Sequence, residues 1–367
     1  MIRTARAHLN VEAQSHPGMT GKNNEDRYAV ASFMLADNNK VPVLFAVLAD
    51  GIGGHRGGEV AAELAVNHIM QEVAHSDGRH TRQIIERAIH EASDAIAAHA
   101  ASNETLKGMG ATCAAAWIIG DRLHTVYVGD SRIYLVRGGR IQQLTVDHTW
   151  VQEAIEKGIL TPEMAREHPN VHVIRRYLGS PTPPEPDFRM KLFDDEGDRH
   201  AEGNQGVQLL PEDVLLLCSD GLTDLVWNDE ILEVIRSKPN IKEAAHALIE
   251  LANSRGGHDN ITVVLISAPL NFKPVAKSGP DWLPWIVGGA AGVVFVLAMA
   301  AFLTLSLLRQ NTDSTLTPTV SPSPLPTQTP LLQATATLRP LPTATSVPLL
   351  LPVAPTYTPW PTNTVIP

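Results

Sequence analysis

Cysteine is almost missing from this chain: Cys113 and Cys218 are the only two in 367 residues. Both sit inside apolar runs, which excludes a disulfide framework and predicts two reduced core thiols. Positive charge is also in deficit, with 29 Lys and Arg against 39 Asp and Glu and a formal net charge of -10. That balance, without a basic stripe, excludes nucleic acid as a default partner. The first ten residues, MIRTARAHLN, contain no apolar h-region, so no secretory signal is expected there. A regular alternation of strand and helix is absent as well, which argues against a doubly wound parallel sheet.

What the chain does have is a set of apolar runs that end or begin at a carboxylate. Val43 to Gly54, VLFAVLADGIGG, reads as a buried strand that delivers Asp50 and Gly51 to its end. Leu123 to Val128 runs into Gly129-Asp130-Ser131-Arg132, and Val214 to Cys218 runs into Ser219-Asp220-Gly221. Two further strands start from acids: Asn24-Glu25-Asp26 precedes Arg27 to Phe33, and Asp259-Asn260 precedes Ile261 to Ser267. In antiparallel sheets the end of one strand lies beside the start of its neighbour, so these acids are expected at one sheet edge. Repelling carboxylates gathered there need cations, and all-oxygen donors favour Mg2+ or Mn2+.

Around these strands, helices are expected from the glycine-rich loop Gly53–Gly58 onward, with Val60, Leu64, Ile69 and Val73 on one face. A second helix follows from Arg82 to about His99, and two more at Asp229–Ser237 and Ile241–Ser254. Short strands at His8–Gln14, Arg122–Val128, Arg132–Val136, Arg140–Leu144, Phe188–Leu192 and Val207–Leu210 complete an α+β sandwich flanked by helix pairs. After a helix from Thr149, the irregular stretch to Pro186 reads as a flap over the site. His168 and His172 within it have a metal-like spacing, but no further soft ligand accompanies them, which favours a solvated loop.

The domains expected are therefore 1–269 globular, 270–281 a juxtamembrane linker, 282–308 a transmembrane helix and 309–367 a disordered tail. Trp282 to Leu308 is 27 residues without a charge, about 40 Å as a helix against a hydrocarbon core of about 30 Å. Lys273 and Lys277 precede it and only Arg309 follows closely, which favours a cytoplasmic N-terminal side. The expected localisation is the cell membrane in a single pass, in contact with the lipid bilayer, with the tail outside. That tail, dominated by Thr, Pro, Ser and Leu, reads as an extended stalk, O-glycosylated or bare.

Taken singly each acidic motif is ordinary turn chemistry. Taken in order, Asn24-Glu25-Asp26, Asp50-Gly51-x-Gly53-Gly54, Gly110-x-Thr112, Gly129-Asp130-Ser131-Arg132, Asp147-His148, Ser219-Asp220-Gly221-Leu222 and Asp259-Asn260 resemble the successive motifs of the metal-dependent Ser/Thr phosphatases of the protein phosphatase 2C (PPM) family. The resemblance covers about residues 8 to 269. It implies a β-sandwich carrying a two-metal centre with Mn2+ or Mg2+. Asp50 would bridge the ions, with the Gly51 carbonyl on one and Asp220 and Asp259 on the other. Asp130 with Asp220 would match a weaker third site, Glu25 and Asp26 would hold waters, and Asn260 would orient the last turn. Asp26, Asp50, Asp220 and Asp259 are thus the implied catalytic set, around a hydroxide bridging the metals. Neither cysteine lies in a CxxxxxR pattern that a phosphocysteine mechanism would need.

Two positions depart from the family pattern. Where many members carry a phosphate-binding Arg, this chain has Gly21, with Lys22 beside it as a point charge. Where some place a His directly after the metal-binding Gly, it has Ile52, leaving His55 and Arg56 as the nearby candidates for the substrate phosphate. The reading carried forward is a membrane-anchored phosphatase acting on phosphoserine and phosphothreonine in proteins, opposing a Ser/Thr kinase. The alternatives are a catalytically silent phosphoprotein-binding scaffold and a metal-dependent nuclease, the latter disfavoured by the acidic balance.

Overall fold

The structure, a computed structural model, describes residues 1–35, 41–53, 57–272 and 364–365. Two antiparallel sheets face each other. The first runs in the order β1 (Ile2–Arg3), β3 (Arg27–Met34), β4 (Pro42–Ala49), β7 (Cys113–Ile119), β8 (Arg122–Val128) and β11 (Val207–Gln208). A two-residue strand β14 (Thr364–Val365) pairs parallel to Ala29–Val30 of β3. The second sheet runs β10 (Arg140–Gln143), β9 (Arg132–Arg137), β12 (Val214–Cys218), β13 (Ile261–Ser267) and β2 (Asn10–His16). A short third pairing joins β5 (Gly51–Ile52) to β6 (Gly110–Ala111).

The unbroken apolar character of β4 follows from burial on both faces. Val43, Phe45 and Val47 pack toward helices α1 (Gly57–His75) and α2 (Thr81–Ser102), while Leu44, Ala46 and Leu48 point into the space between the sheets. β12 and β13 alternate in the same way: Leu215, Leu217, Val264 and Ile266 meet β4 across the sandwich. Leu216, Cys218, Val263 and Leu265 pack under α8 (Ile241–Ser254), with α7 (Asn228–Ser237) alongside. The helix stripe Ile85, Ile89, Ala92 and Ile96 is buried as the sequence predicts, and both cysteines are free and buried. Gly138 and Gly139 both take positive φ in the tight β9–β10 turn, a conformation that favours glycine.

Three expectations change. The first long strand is shifted to Asn10–His16, where it pairs in full with β13. The strand expected at Phe188–Leu192 does not form, because the Arg189 N–H and guanidinium both turn back onto the Asp187 carboxylate and leave only the isolated bridge from Asp187 to Tyr127. The irregular stretch after α3 (Trp150–Glu156) contains a capped turn of helix, α4 (Pro162–Arg166), with Thr161 accepting from the Met164 N–H. Farther on come α5 (Asp198–Gly203) and α6 (Asp220–Thr223). The predicted membrane segment 282–308 lies outside the described residues, as does the tail apart from 364–365; among the described residues no helix is long and apolar enough to cross a membrane.

Trp117 of β7 is fully buried and meets Phe45 edge to face at 5.7 Å. Trp117→Ala is expected to cost about 3–5 kcal/mol in urea unfolding, and a loss below about 1 kcal/mol would contradict the packing described.

Candidate metal centre

Four strand ends and the short helix α6 bring the acids together. Asp50 follows β4, Asp130 follows β8, Asp220 opens α6 just after β12, and Asp26 and Asp259 lie just ahead of β3 and β13. Asp26 and Asp130 are buried, whereas Asp50 and Asp220 are half-buried.

Neutral side chains fix this arrangement. The Thr112 hydroxyl accepts from the Asp50 N–H at 2.9 Å, the Thr112 N–H donates to the Asp50 carbonyl at 2.8 Å, and the same hydroxyl meets the Ser131 hydroxyl at 2.7 Å. One threonine therefore ties the end of β4 to the loop that carries Asp130. The Ser219 hydroxyl donates to Asp26 at 2.7 Å. The Asn260 side chain accepts from the Glu25 N–H at 2.7 Å and donates to the carbonyls of Pro17 and Asn23, both at 3.1 Å, so it straps the loop before β3 to the start of β13.

Glycine is required where these loops touch. A Cβ on Gly51 would overlap the Gly58 carbonyl, and one on Gly221 would overlap the Asn260 carbonyl. The Glu25 carboxylate lies against Gly58 in the first turn of α1, where the helix dipole favours an anion.

Electrostatics show what the site lacks. Burial, followed by the charges of Asp26, Asp220 and Asp130, pushes the Asp50 carboxyl well above its ordinary value. Asp220 is pushed the same way by burial and by Asp130, Asp224 and Asp259. Burial also lifts Asp26 to about 6 and Asp130 to about 7. One carboxylate oxygen of Asp26 and one of Asp130 have no hydrogen-bond donor although both are buried, an arrangement that costs stability unless something positive meets them. The nearby cations are largely engaged elsewhere: Arg132 is held by Asp147 at 2.6 Å and Arg27 by Glu59 at 2.5 Å. Carboxylate oxygens and a glycine carbonyl, crowded and short of donors, fit a hard divalent cation.

Of the remaining predicted residues, Lys22 stands 3.9 Å from the Asp259 carboxylate with both side chains more than half exposed, a pair of little energetic weight. His55 and Arg56 lie outside the described residues. Ile52 is paired in β5 opposite Gly110, which occupies the position with backbone structure. His168 and His172 take separate roles: His168 stacks on Trp150 at 4.8 Å, while His172 lies 3.4 Å from Asp224. His172, Asp220 and Asp224 present ligand atoms within 4.8 Å of one another.

Sequence reasoning missed Asp224, although its spacing of four from Asp220 was a readable signal for a shared helix face. It also gave no role to His148. That ring accepts from the Gly129 N–H at 3.0 Å, and the His148 N–H donates to the Gly129 carbonyl at 2.9 Å, so both backbone groups next to Asp130 are clamped. The opposite ring nitrogen meets Asp187 at 3.1 Å.

A family model described as protein phosphatase 2C matches residues 15–254. Among curated proteins, the chain is similar to the serine/threonine protein phosphatase PstP of Mycobacterium tuberculosis, 37% identical over 257 residues, covering 70% of this chain but only 44% of PstP. It is also similar to the serine/threonine phosphatase stp of Listeria monocytogenes, 35% identical over 269 residues, covering 72% of this chain and 98% of that protein. Among solved structures, the Mycobacterium tuberculosis phosphatase PstP/Ppp matches with a TM-score of 0.60 at 36% identity, covering 71% of this chain and 99% of that one. The catalytic domain of PstP in complex with two manganese ions matches with a TM-score of 0.56, also at 36% identity, covering 71% and 97%.

Raised carboxylates make the ion-free fold bind more protons than the unfolded chain, so its stability is expected to fall as pH rises past the ordinary carboxylate range through about 6 and 7, the values of Asp26 and Asp130. In EDTA, Tm should drop on the order of 5 °C between pH 5 and pH 8, and Mn2+ should restore more at pH 8 than at pH 5. An EDTA-treated domain that gains stability over this range would contradict the assignment.

Proposed function

Because the chain belongs to the protein phosphatase 2C family of Ser/Thr protein phosphatases, we propose that its N-terminal domain hydrolyses phosphoserine and phosphothreonine on proteins with Mn2+ or Mg2+ held by the carboxylate cluster. The observation that carries this reading is the pair of buried, donor-less oxygens on Asp26 and Asp130 beside the mutually repelling Asp50 and Asp220. Asp50, the Gly51 carbonyl, Asp220 and Asp259 would hold two ions, and Asp130 with Asp220 a weaker third. Two manganese ions in the PstP catalytic domain support the pair in the main site.

When bound, such ions acidify water toward a nucleophile at neutral pH and offset the charge of the phosphate. The chain's own contribution is orientation. Thr112 and Ser131 hold Asp50 and the Asp130 loop in one register, Ser219 fixes one oxygen of Asp26, and Asn260 sets the loop carrying Glu25. In this reading Glu25 and Asp26 would orient waters, and Lys22, 3.9 Å from the Asp259 carboxylate, would meet the substrate phosphate. Neither thiol competes as nucleophile, since burial pushes Cys113 and Cys218 up to about 12.

The substrates proposed are the products of a Ser/Thr kinase. Residues 282–308 would anchor the enzyme in the cell membrane, with the catalytic domain cytoplasmic and the tail beyond the bilayer. That topology and the pairing of β14 with β3 exclude each other, so protease added to intact cells decides the point: loss of the tail alone supports the anchor, and a protected tail contradicts it.

Phosphate release from a phosphothreonine peptide by residues 1–272 is expected with Mn2+ or Mg2+ and not with EDTA. Asp50→Ala and Asp220→Ala should each leave a folded domain with turnover below about one hundredth of the parent. Turnover that survives EDTA or either substitution would overturn the metal assignment.

A further inference from the structure

A cavity of about 800 Å3 adjoins the carboxylate cluster. That is within the range of about 300–1,000 Å3 that holds a substantial ligand and far more than a phosphoryl group fills. Its lining includes Asp259 and Asp224 of the metal centre and continues over Val151 and Ile155 of α3, Pro162 of α4 and Trp227 at the head of α7. A phosphoryl group seated on the cluster would therefore leave the chain that carries it beside these walls.

Two features give the walls a chemical preference. Trp227 is 53% exposed, and an indole presents a large flat surface of the kind enriched at interfaces. It is nevertheless fixed: the Arg166 guanidinium lies 3.5 Å over its ring and donates to the Thr223 carbonyl at 3.0 Å. The second feature is charge. The lining holds two arginines, Arg132 neutralised by Asp147 and Arg166 engaged on the Trp227 ring and the Thr223 carbonyl. Against them stand the carboxylates of Glu163 and Asp229, which have no cationic partner among the described residues, and those of Asp224 and Asp259. Glu163 and Asp229 are both exposed and both sit in the first turn of a helix, α4 and α7 respectively.

Resting on the phosphatase reading above, we propose that this cavity holds the polypeptide flanking the phosphorylated residue, and that it selects flanks carrying lysine or arginine over acidic ones. Trp227 supplies the surface on which the flanking chain packs, and Glu163 and Asp229 supply the charge that reads it.

The test is steady-state kinetics of the full chain with Mn2+ on three phosphothreonine peptides that differ only in flanking Arg, Ala or Asp, with p-nitrophenyl phosphate as a substrate that has no chain. We expect kcat/KM to fall from Arg to Ala to Asp over roughly tenfold, mostly through KM. The double variant Glu163→Gln with Asp229→Asn should compress that span to about threefold or less, by removing the two charges and little else. Trp227→Ala should raise KM for every peptide roughly tenfold, with a clearly smaller effect on p-nitrophenyl phosphate. Equal kcat/KM on the three peptides, or a span untouched by the double variant, would overturn the inference while the phosphatase reading stands. Absence of turnover on every substrate, p-nitrophenyl phosphate included, would overturn both.

Discussion

Carboxylates gathered at one end of a sandwich repel one another, and burial strips away the water that would screen them. Asp50, Asp220, Asp26 and Asp130 are all pushed upward for this reason. Left alone, the cluster relieves this repulsion by taking up protons, which is the direction in which burial and the neighbouring carboxylates push Asp50. Divalent cations offer the alternative, and they turn an electrostatic cost into a binding site. The uncharged bonds around the cluster are needed to keep the acids in place against their own repulsion.

Those bonds explain much of the local sequence. Thr112, Ser131, Ser219 and Asn260 each link two separate strand ends. Gly51 and Gly221 let backbone carbonyls approach where a side chain would collide. The sandwich itself, with three apolar layers and β4 buried on both faces, supplies the rigid base that makes such placement possible.

Much of this was legible from the chain alone. The unbroken apolar runs of β4, β12 and β13 mark strands covered on both faces, and the stripes of α1 and α2 mark helices laid on a sheet, so the layered sandwich could be read from the chain. Asp26, Asp50, Asp130, Asp220 and Asp259 were readable because each adjoins an apolar run whose end or start is sharply marked. Other features depended on tertiary contacts. The 188–192 stretch looks like a strand until Asp187 captures Arg189. His148 sits in an ordinary Asp-His pair, and its clamp on Gly129 spans 19 residues. Trp227 and Glu163 share a cavity only because α4 packs near α7, which no local pattern announces.

The most direct test of the central claim is calorimetric titration of metal-free residues 1–272 with Mn2+, in two buffers of different ionisation enthalpy, at pH 6.5 and at pH 8. If the cluster exchanges protons for cations, two ions should bind in the main site, with protons released at pH 6.5 and fewer at pH 8. Binding without proton release at pH 6.5, or no binding at either pH, would contradict the account.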